Sequence, residues 1–217
     1  MAIDVAVAGG HGKIALHLLR MLAERGDRAR GLIRNPDHAA DLEAVGAVPV
    51  GADLENLDAD AIARSIAGVD AVVFAAGAGP GSGPARKRTV DYGGAVKLID
   101  AARMNEVSRY LMVSAMGVRD PGARGEEMRP YYEAKLEADQ AVIASGLDYT
   151  IVRPGRLTDD PGTGRIEIDE QLERVGEVPR EDVAATLLAC LDEPKTSGKA
   201  FDLISGETPI PDALAEL

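Results

Sequence analysis

Residues 7–15 read Val7-Ala-Gly-Gly-His-Gly-Lys-Ile-Ala15, and the organisation of the whole chain follows from how this stretch is read. Residues 3–8 before it form a short β-branched run that suits a buried parallel strand. Residues 13–25 after it place Ile14, Leu18, Met21 and Leu22 on one helical face, and Gly26 stops the helix. A strand that turns through small residues into a helix lets the backbone approach a pyrophosphate and aim N–H groups and the positive helix end at it. The spacing is Gly9-x-x-Gly12-x-x-Ala15 with Gly10 adding room, so it departs from the full G-x-G-x-x-G pattern. The cradle is therefore assigned to Gly9, Gly10, His11, Gly12, Lys13 and Ile14.

Outward from this turn, strands and helices alternate. Strands are predicted over 28–33, 48–51, 71–76, 110–114, 149–153 and 199–204. Helices are predicted over 39–45, 60–67, 90–105, 131–145 and 180–193. A glycine-, proline-, alanine- and serine-only loop covers 77–84. This alternation predicts a Rossmann-type, doubly wound α/β fold: a parallel sheet with helices on both faces. With 217 residues and no linker or repeat, one domain is expected over 1–217. A small C-terminal region is assembled from segments after residue 153.

The end of the second strand bears on which dinucleotide fits. An acid there would accept a hydrogen bond from the adenosine ribose, as NAD binding favours. This chain has Arg34-Asn35, with Arg30 four residues before Arg34. A guanidinium suits a 2′-phosphate, so NADP is favoured and NAD stays possible. Asp53-Leu54 after the third strand could meet the adenine amino group, with loop capping as the plain alternative. Ala75-Ala76-Gly77 after the fourth is small enough to let a cofactor approach.

These motifs, with Ser114-Ala-Met-Gly, Tyr131-x-x-x-Lys135, Tyr149-Thr-Ile-Val-Arg-Pro-Gly155 and Arg180-Glu-Asp-Val-Ala-Ala, make the chain resemble an atypical short-chain dehydrogenase/reductase. The resemblance is to the small NAD(P)H-binding kind, which includes biliverdin/flavin reductase-like and sugar-epimerase-like proteins and NADP-sensing regulators. It implies that Ser114, Tyr131 and Lys135 share the chemistry. Ser114 would polarise a carbonyl or hydroxyl, Tyr131 would act as acid or base, and Lys135 would reach the nicotinamide ribose. Positions i and i+4 share a helical face, so Tyr131 and Lys135 can address one ligand, and the ammonium is expected to lower the phenol pKa. Tyr132 is a second candidate beside Tyr131. The resemblance also sets Pro154, Gly155, Arg156 and Leu157 against the nicotinamide, with Arg156 facing either an anionic substrate or Asp159 and Asp160. The 160–164 turn and the 77–84 loop are expected to rim the pocket.

The expected activity is hydride transfer between NADP(H) and a small acceptor: a quinone, flavin, carbonyl compound or sugar derivative. An NAD-dependent epimerase or dehydratase and a non-enzymatic redox sensor stand as alternatives. Only about 64 residues follow Arg153, few for a nucleotide-sugar lobe. With 3% aromatic residues and no tryptophan, a planar substrate has little to stack on beyond Tyr92, Tyr131 and Tyr132. The net charge of −12 argues against nucleic acid and anionic membrane as partners. His11, His17 and His38 form no metal constellation, and the lone Cys190 reads as a buried structural thiol. No run of about 18 apolar residues or signal peptide is visible, so a cytoplasmic monomer or homodimer acting on a small molecule is expected.

Overall fold

A computed structural model describes residues 2–79, 81–123 and 125–217; Pro80, in the predicted 77–84 loop, lies outside them. Six strands and their crossovers come first: β1 (Asp4–Ala8), α1 (Lys13–Arg25), β2 (Arg28–Ile33), α2 (Ala39–Ala44), β3 (Val48–Gly51), α3 (Ala59–Ser65), β4 (Ala71–Phe74), α4 (Pro84–Lys87), α5 (Gly94–Met104), β5 (Arg109–Val113), α6 (Arg129–Ile143) and β6 (Asp148–Pro154). They are followed by β7 (Arg156–Thr158), β8 (Arg165–Asp169), β9 (Glu177–Pro179), α7 (Arg180–Asp192), β10 (Lys199–Ser205), β11 (Thr208–Pro209) and α8 (Ile210–Ala215).

The main sheet has the order β11-β8-β10-β6-β5-β4-β1-β2-β3. Every pairing from β3 across to β10 is parallel. Alternation along β1 explains the layering: Val5 and Val7 join the core with α1 and α7, while Ala6 and Ala8 join the core with α3, α5 and α6. The chain leaves β1 toward β2 on one side and later returns to β4 on the other. The carboxyl ends of β1 and β4 therefore flank the point where strand order reverses, where open α/β sheets leave a crevice.

Two expectations are corrected. The sheet is not wholly parallel, because at its edge β8 pairs antiparallel with both β10 and β11. The alternation Arg165-Ile-Glu-Ile-Asp169 carried that signal, with Ile166 buried and the charged residues at the solvent side. The helix expected from residue 90 begins instead at Pro84, with Gly83 extended before it and proline at the first turn. It then passes through a π-helical turn at Arg88–Gly93 before α5. Such wide turns recur at functional sites, and this one carries Asp91. No helix of the described residues is long and apolar enough to cross a membrane.

Candidate active site

Two cavities, of about 270 and 830 Å³, share Ala75, Ala76 and Gly77 at the end of β4 and lie on either side of it. The smaller runs from the β1–α1 turn to the ends of β2 and β3. The larger runs toward β5 and α6.

The turn has the tightness that its sequence demands. Gly9 has φ +79°, and a Cβ on it would sit 2.7 Å from Ala76 Cα. Gly12 N–H donates to Gly9 O at 2.8 Å and Gly12 is the N-cap of α1, with no capping side chain. The first-turn amides of α1 thus keep the unsatisfied donors that suit an anion. Gly10 serves the sheet instead. Its N–H donates to Leu32 O at 2.9 Å, and a Cβ there would meet Gly31 Cα at 2.8 Å. It lets β2 pack closely and does not line the cavity. Lys13 also turns away, exposed and paired with Asp159. His11 stacks on His38 with centroids 3.6 Å apart and pairs with Asp41; sequence spacing had not connected His11 with His38. Ile14 reaches the larger cavity.

Arg34, Asn35, Asp53 and Leu54 all line the smaller cavity. Asn35 Oδ1 accepts from Asp37 N, and both oxygens of Asp53 accept within its own turn, from Glu55 N at 3.0 Å and Asn56 Nδ2 at 2.8 Å. Asp53 therefore caps the loop that it lines. Arg30 does not join Arg34; its side chain pairs with Asp4 and donates to Ala67 O, because it stands four residues, about 13 Å, nearer the amino end of β2. Two unforeseen residues complete this end, Glu55 and Arg86.

Ser114, Tyr131 and Lys135 all line the larger cavity. Tyr131 faces it, while Tyr132 packs edge-on against Tyr131 and is not among the lining residues. Ser114 is 3% exposed, and its Oγ is buried near Asp139 without a hydrogen bond to protein. Lys135, 4% exposed, donates to Val113 O at 3.2 Å and lies 3.3 Å from Asp91 Oδ1 and 5.7 Å from the Phe74 ring centroid. Asp91 Oδ2 accepts from Ala78 N at 3.1 Å, so one buried carboxylate ties the lysine to the 77–79 segment. Sequence reasoning missed Asp91. Its helical period was visible, but the direction of its side chain depends on the π turn.

Burial pulls the Lys135 pKa down, yet Tyr131 and Asp91 together outweigh it and the net shift is upward. The expected lowering of Tyr131 is overturned: burial raises its pKa, the Lys135 ammonium only partly opposes this, and Asp91 adds to the rise. Tyr131 is held as a phenol. For Asp91→Asn we expect a loss of about 1–3 kcal/mol from the unmatched ammonium. A lysine pKa raised by its partner stabilises the fold below the unfolded value and loses this effect as pH rises through the folded value. The deficit should therefore stay constant across neutral pH and shrink only at strongly alkaline pH, which thermal melts would measure.

Of the segment after β6, only Leu157 lines the cavity. Gly155 packs against Gly176 O, where a Cβ would sit at 2.3 Å, and Pro154 is buried. Arg156 points outward and pairs with Glu177 rather than Asp159 or Asp160. The 160–164 turn does not rim the cavity; its amides are held by Glu181 and Asp182, with Gly164 N donating to Asp182 Oδ1 at 2.8 Å. Gly77, Ala78, Gly79, Gly81, Ser82 and Pro84 do line it. Cys190 is buried as expected, its thiol pushed up to about 12.

The family model described as NAD(P)H-binding matches residues 9–194, which runs from the first glycine of the cradle to the end of the last crossover. The chain belongs to that NAD(P)H-binding family. It is 42% identical to the uncharacterized sugar epimerase YhfK of Bacillus subtilis (strain 168), over 99% of this chain and 100% of the relative. A solved structure from Bacillus halodurans, named provisionally as an NAD-dependent epimerase/dehydratase, superposes with a TM-score of 0.94 at 36% identity, covering both chains fully. The oxidoreductase ylbE of Lactococcus lactis gives a TM-score of 0.87 at 27% identity, covering 99% of this chain and 96% of the other. The fold is shared with them, and the turn fits a nucleotide diphosphate at Gly9 and Gly12, where an added Cβ would come within 2.7 Å of Ala76 Cα and 3.1 Å of Gly9 O respectively.

Proposed function

We propose that this NAD(P)H-binding protein is an NADP-preferring reductase acting on a small carbonyl-type acceptor such as a quinone or sugar derivative. The observation that carries the reading is the convergence of Ser114, Tyr131 and Lys135 in one cavity that meets the cavity of the glycine-rich turn at Ala75–Gly77.

When bound, the nicotinamide supplies or accepts a hydride. The backbone of Gly9 and Gly12 and the first turn of α1 bind the diphosphate, and Arg34 takes the 2′-phosphate. Lys135, held by Asp91 and Val113 O, presents its ammonium to the nicotinamide ribose. Ser114 Oγ, buried in the wall of this cavity, donates to the acceptor oxygen. Tyr131 gives its proton to that oxygen as charge builds on it and is reprotonated from solvent. A pKa above the ordinary value keeps Tyr131 in its proton-bearing form at neutral pH, the form that a reduction step requires.

The cofactor part is tested by calorimetric titration of wild type and Arg34→Ala with NAD and NADP. NADP is expected to bind more tightly, and the substitution is expected to erase most of a difference of about 1–3 kcal/mol. Equal loss for both cofactors would remove Arg34 from phosphate recognition. The names of the relatives favour a second reading, an epimerase, which must retain its NAD through a full oxidation–reduction cycle. Purification with tightly bound NAD and no net oxidation of added NADPH would select it.

A further inference from the structure

The small cavity holds an acid in a place where an NADP preference does not call for one. Glu55 Oε2 lies 3.7 Å from Arg34 Nη1 and accepts from Arg86 Nε at 3.4 Å. Its other oxygen accepts from Thr89 Oγ1 at 2.8 Å. Arg34, Glu55 and Arg86 line the same cavity, and the Glu55 side chain keeps only 25% exposure. The two guanidiniums come from different walls: Arg34 follows β2, whereas Arg86 stands on α4 and also donates to Ala78 O at 3.4 Å. The carboxylate sits where their charges meet.

We infer that Glu55 sets the choice between NAD and NADP by occupying, as an internal anion, the guanidiniums that a ribose 2′-phosphate would use, with Arg86 as the second of them. This rests on the reading that the adenosine half of the dinucleotide lies in this cavity. A phosphate monoester carries about two negative charges at neutral pH and must displace the carboxylate to reach Arg34 and Arg86. A ribose hydroxyl has no such conflict, because it can donate to Glu55 where it stands. The carboxylate thus weakens one cofactor and spares the other. Specificity often comes from such a repulsive element set against an attractive one.

Glu55→Gln removes the charge while keeping the length and an acceptor oxygen. Isothermal titration of the full chain with NADP, NAD, adenosine 2′,5′-bisphosphate and AMP reads the consequence. For Glu55→Gln the ratio of NADP to NAD affinity should rise about tenfold, with the bisphosphate following NADP and AMP following NAD. The gain should shrink as salt is raised, since the site is partly exposed. Arg86→Ala should lower NADP affinity about tenfold while changing NAD less than threefold, and Glu55→Gln in that background should gain less. An unchanged ratio, or equal gains for all four ligands, overturns the role of Glu55. An Arg86→Ala chain that binds NADP as wild type does overturns the role of Arg86. Failure of the underlying reading is distinct: wild type, folded by circular dichroism, would then bind neither dinucleotide nor either fragment, and the inference would fall with it. If wild type instead prefers NAD, the Arg34-based preference fails, while a raised ratio in Glu55→Gln still supports Glu55 as its cause.

Discussion

A Tyr131→Phe chain should bind NADPH as wild type does and reduce its acceptor on the order of 10²–10⁴-fold more slowly, the usual loss when a positioned proton donor is removed. The phenol ring stays, so packing against Tyr132 and the shape of the cavity are retained. Only the proton is lost. Because the acid form is the active one, kcat/KM should hold across neutral pH and decline as pH rises through the tyrosine pKa. That decline should lie above the ordinary value of about 10, since burial raises the pKa and the ammonium of Lys135 does not fully offset it. Stopped-flow oxidation of NADPH against an acceptor that wild type reduces would measure both effects. A rate for Tyr131→Phe within threefold of wild type would show that solvent supplies the proton and that Tyr131 only shapes the cavity.

Arg153→Met should cost about 3–5 kcal/mol of stability, the penalty for leaving a buried charge without its partner. Arg153 Nε donates to Asp139 Oδ2 at 2.8 Å, and the two side chains are 4% and 1% exposed. Asp139 lies on α6 in register with Tyr131 and Lys135, at i, i+4 and i+8, so this pair joins the cavity-facing stripe of the helix to β6. Burial already raises the Asp139 pKa against the opposing pull of Arg153, Ser114 and Lys135. Without Arg153 it should rise further. A carboxyl raised on folding costs stability at pH above its folded pKa and ceases to cost it as pH falls toward the unfolded value near 3.9. The variant's deficit should therefore narrow on acidification, for example between pH 8 and pH 5 in thermal melts. Asp139→Leu combined with Arg153→Met should recover much of the loss, because the isolated charge is gone. A double variant as unstable as Arg153→Met would mean that lost packing, not charge, is the cause.

These expectations come from different levels of the molecule. The order of strands and helices through β6 was readable because each crossover helix buries one face at a 3.6-residue period and each strand is a short apolar run. Gly9 and Gly12 were readable because only residues without side chains allow that turn. The convergence of Ser114, Tyr131 and Lys135 was readable from the family resemblance and from the i, i+4 spacing. The antiparallel edge was legible in the alternation at 165–169, a stretch for which no strand was predicted.

Other features depend on distances that local pattern does not carry. Glu55 and Arg86 are 31 residues apart and meet only because the loop after β3 and α4 both wall the smaller cavity. Arg30 and Arg34 lie close in sequence, yet the strand carries one to Asp4 and leaves the other in the cavity. Asp91 faces Lys135 through a π turn that changes the direction of its side chain. The sign of the Tyr131 shift needed the depth of the cavity, since proximity to an ammonium and removal from water push a phenol in opposite directions. Backbone permissiveness and hydrophobic period are properties of neighbouring residues, so the sequence alone determined most of the elements through β6 and the tight turn at Gly9 and Gly12. Charge pairing and desolvation are properties of three-dimensional neighbours, so only the tertiary structure decided which acids and bases face one another and in which protonation state.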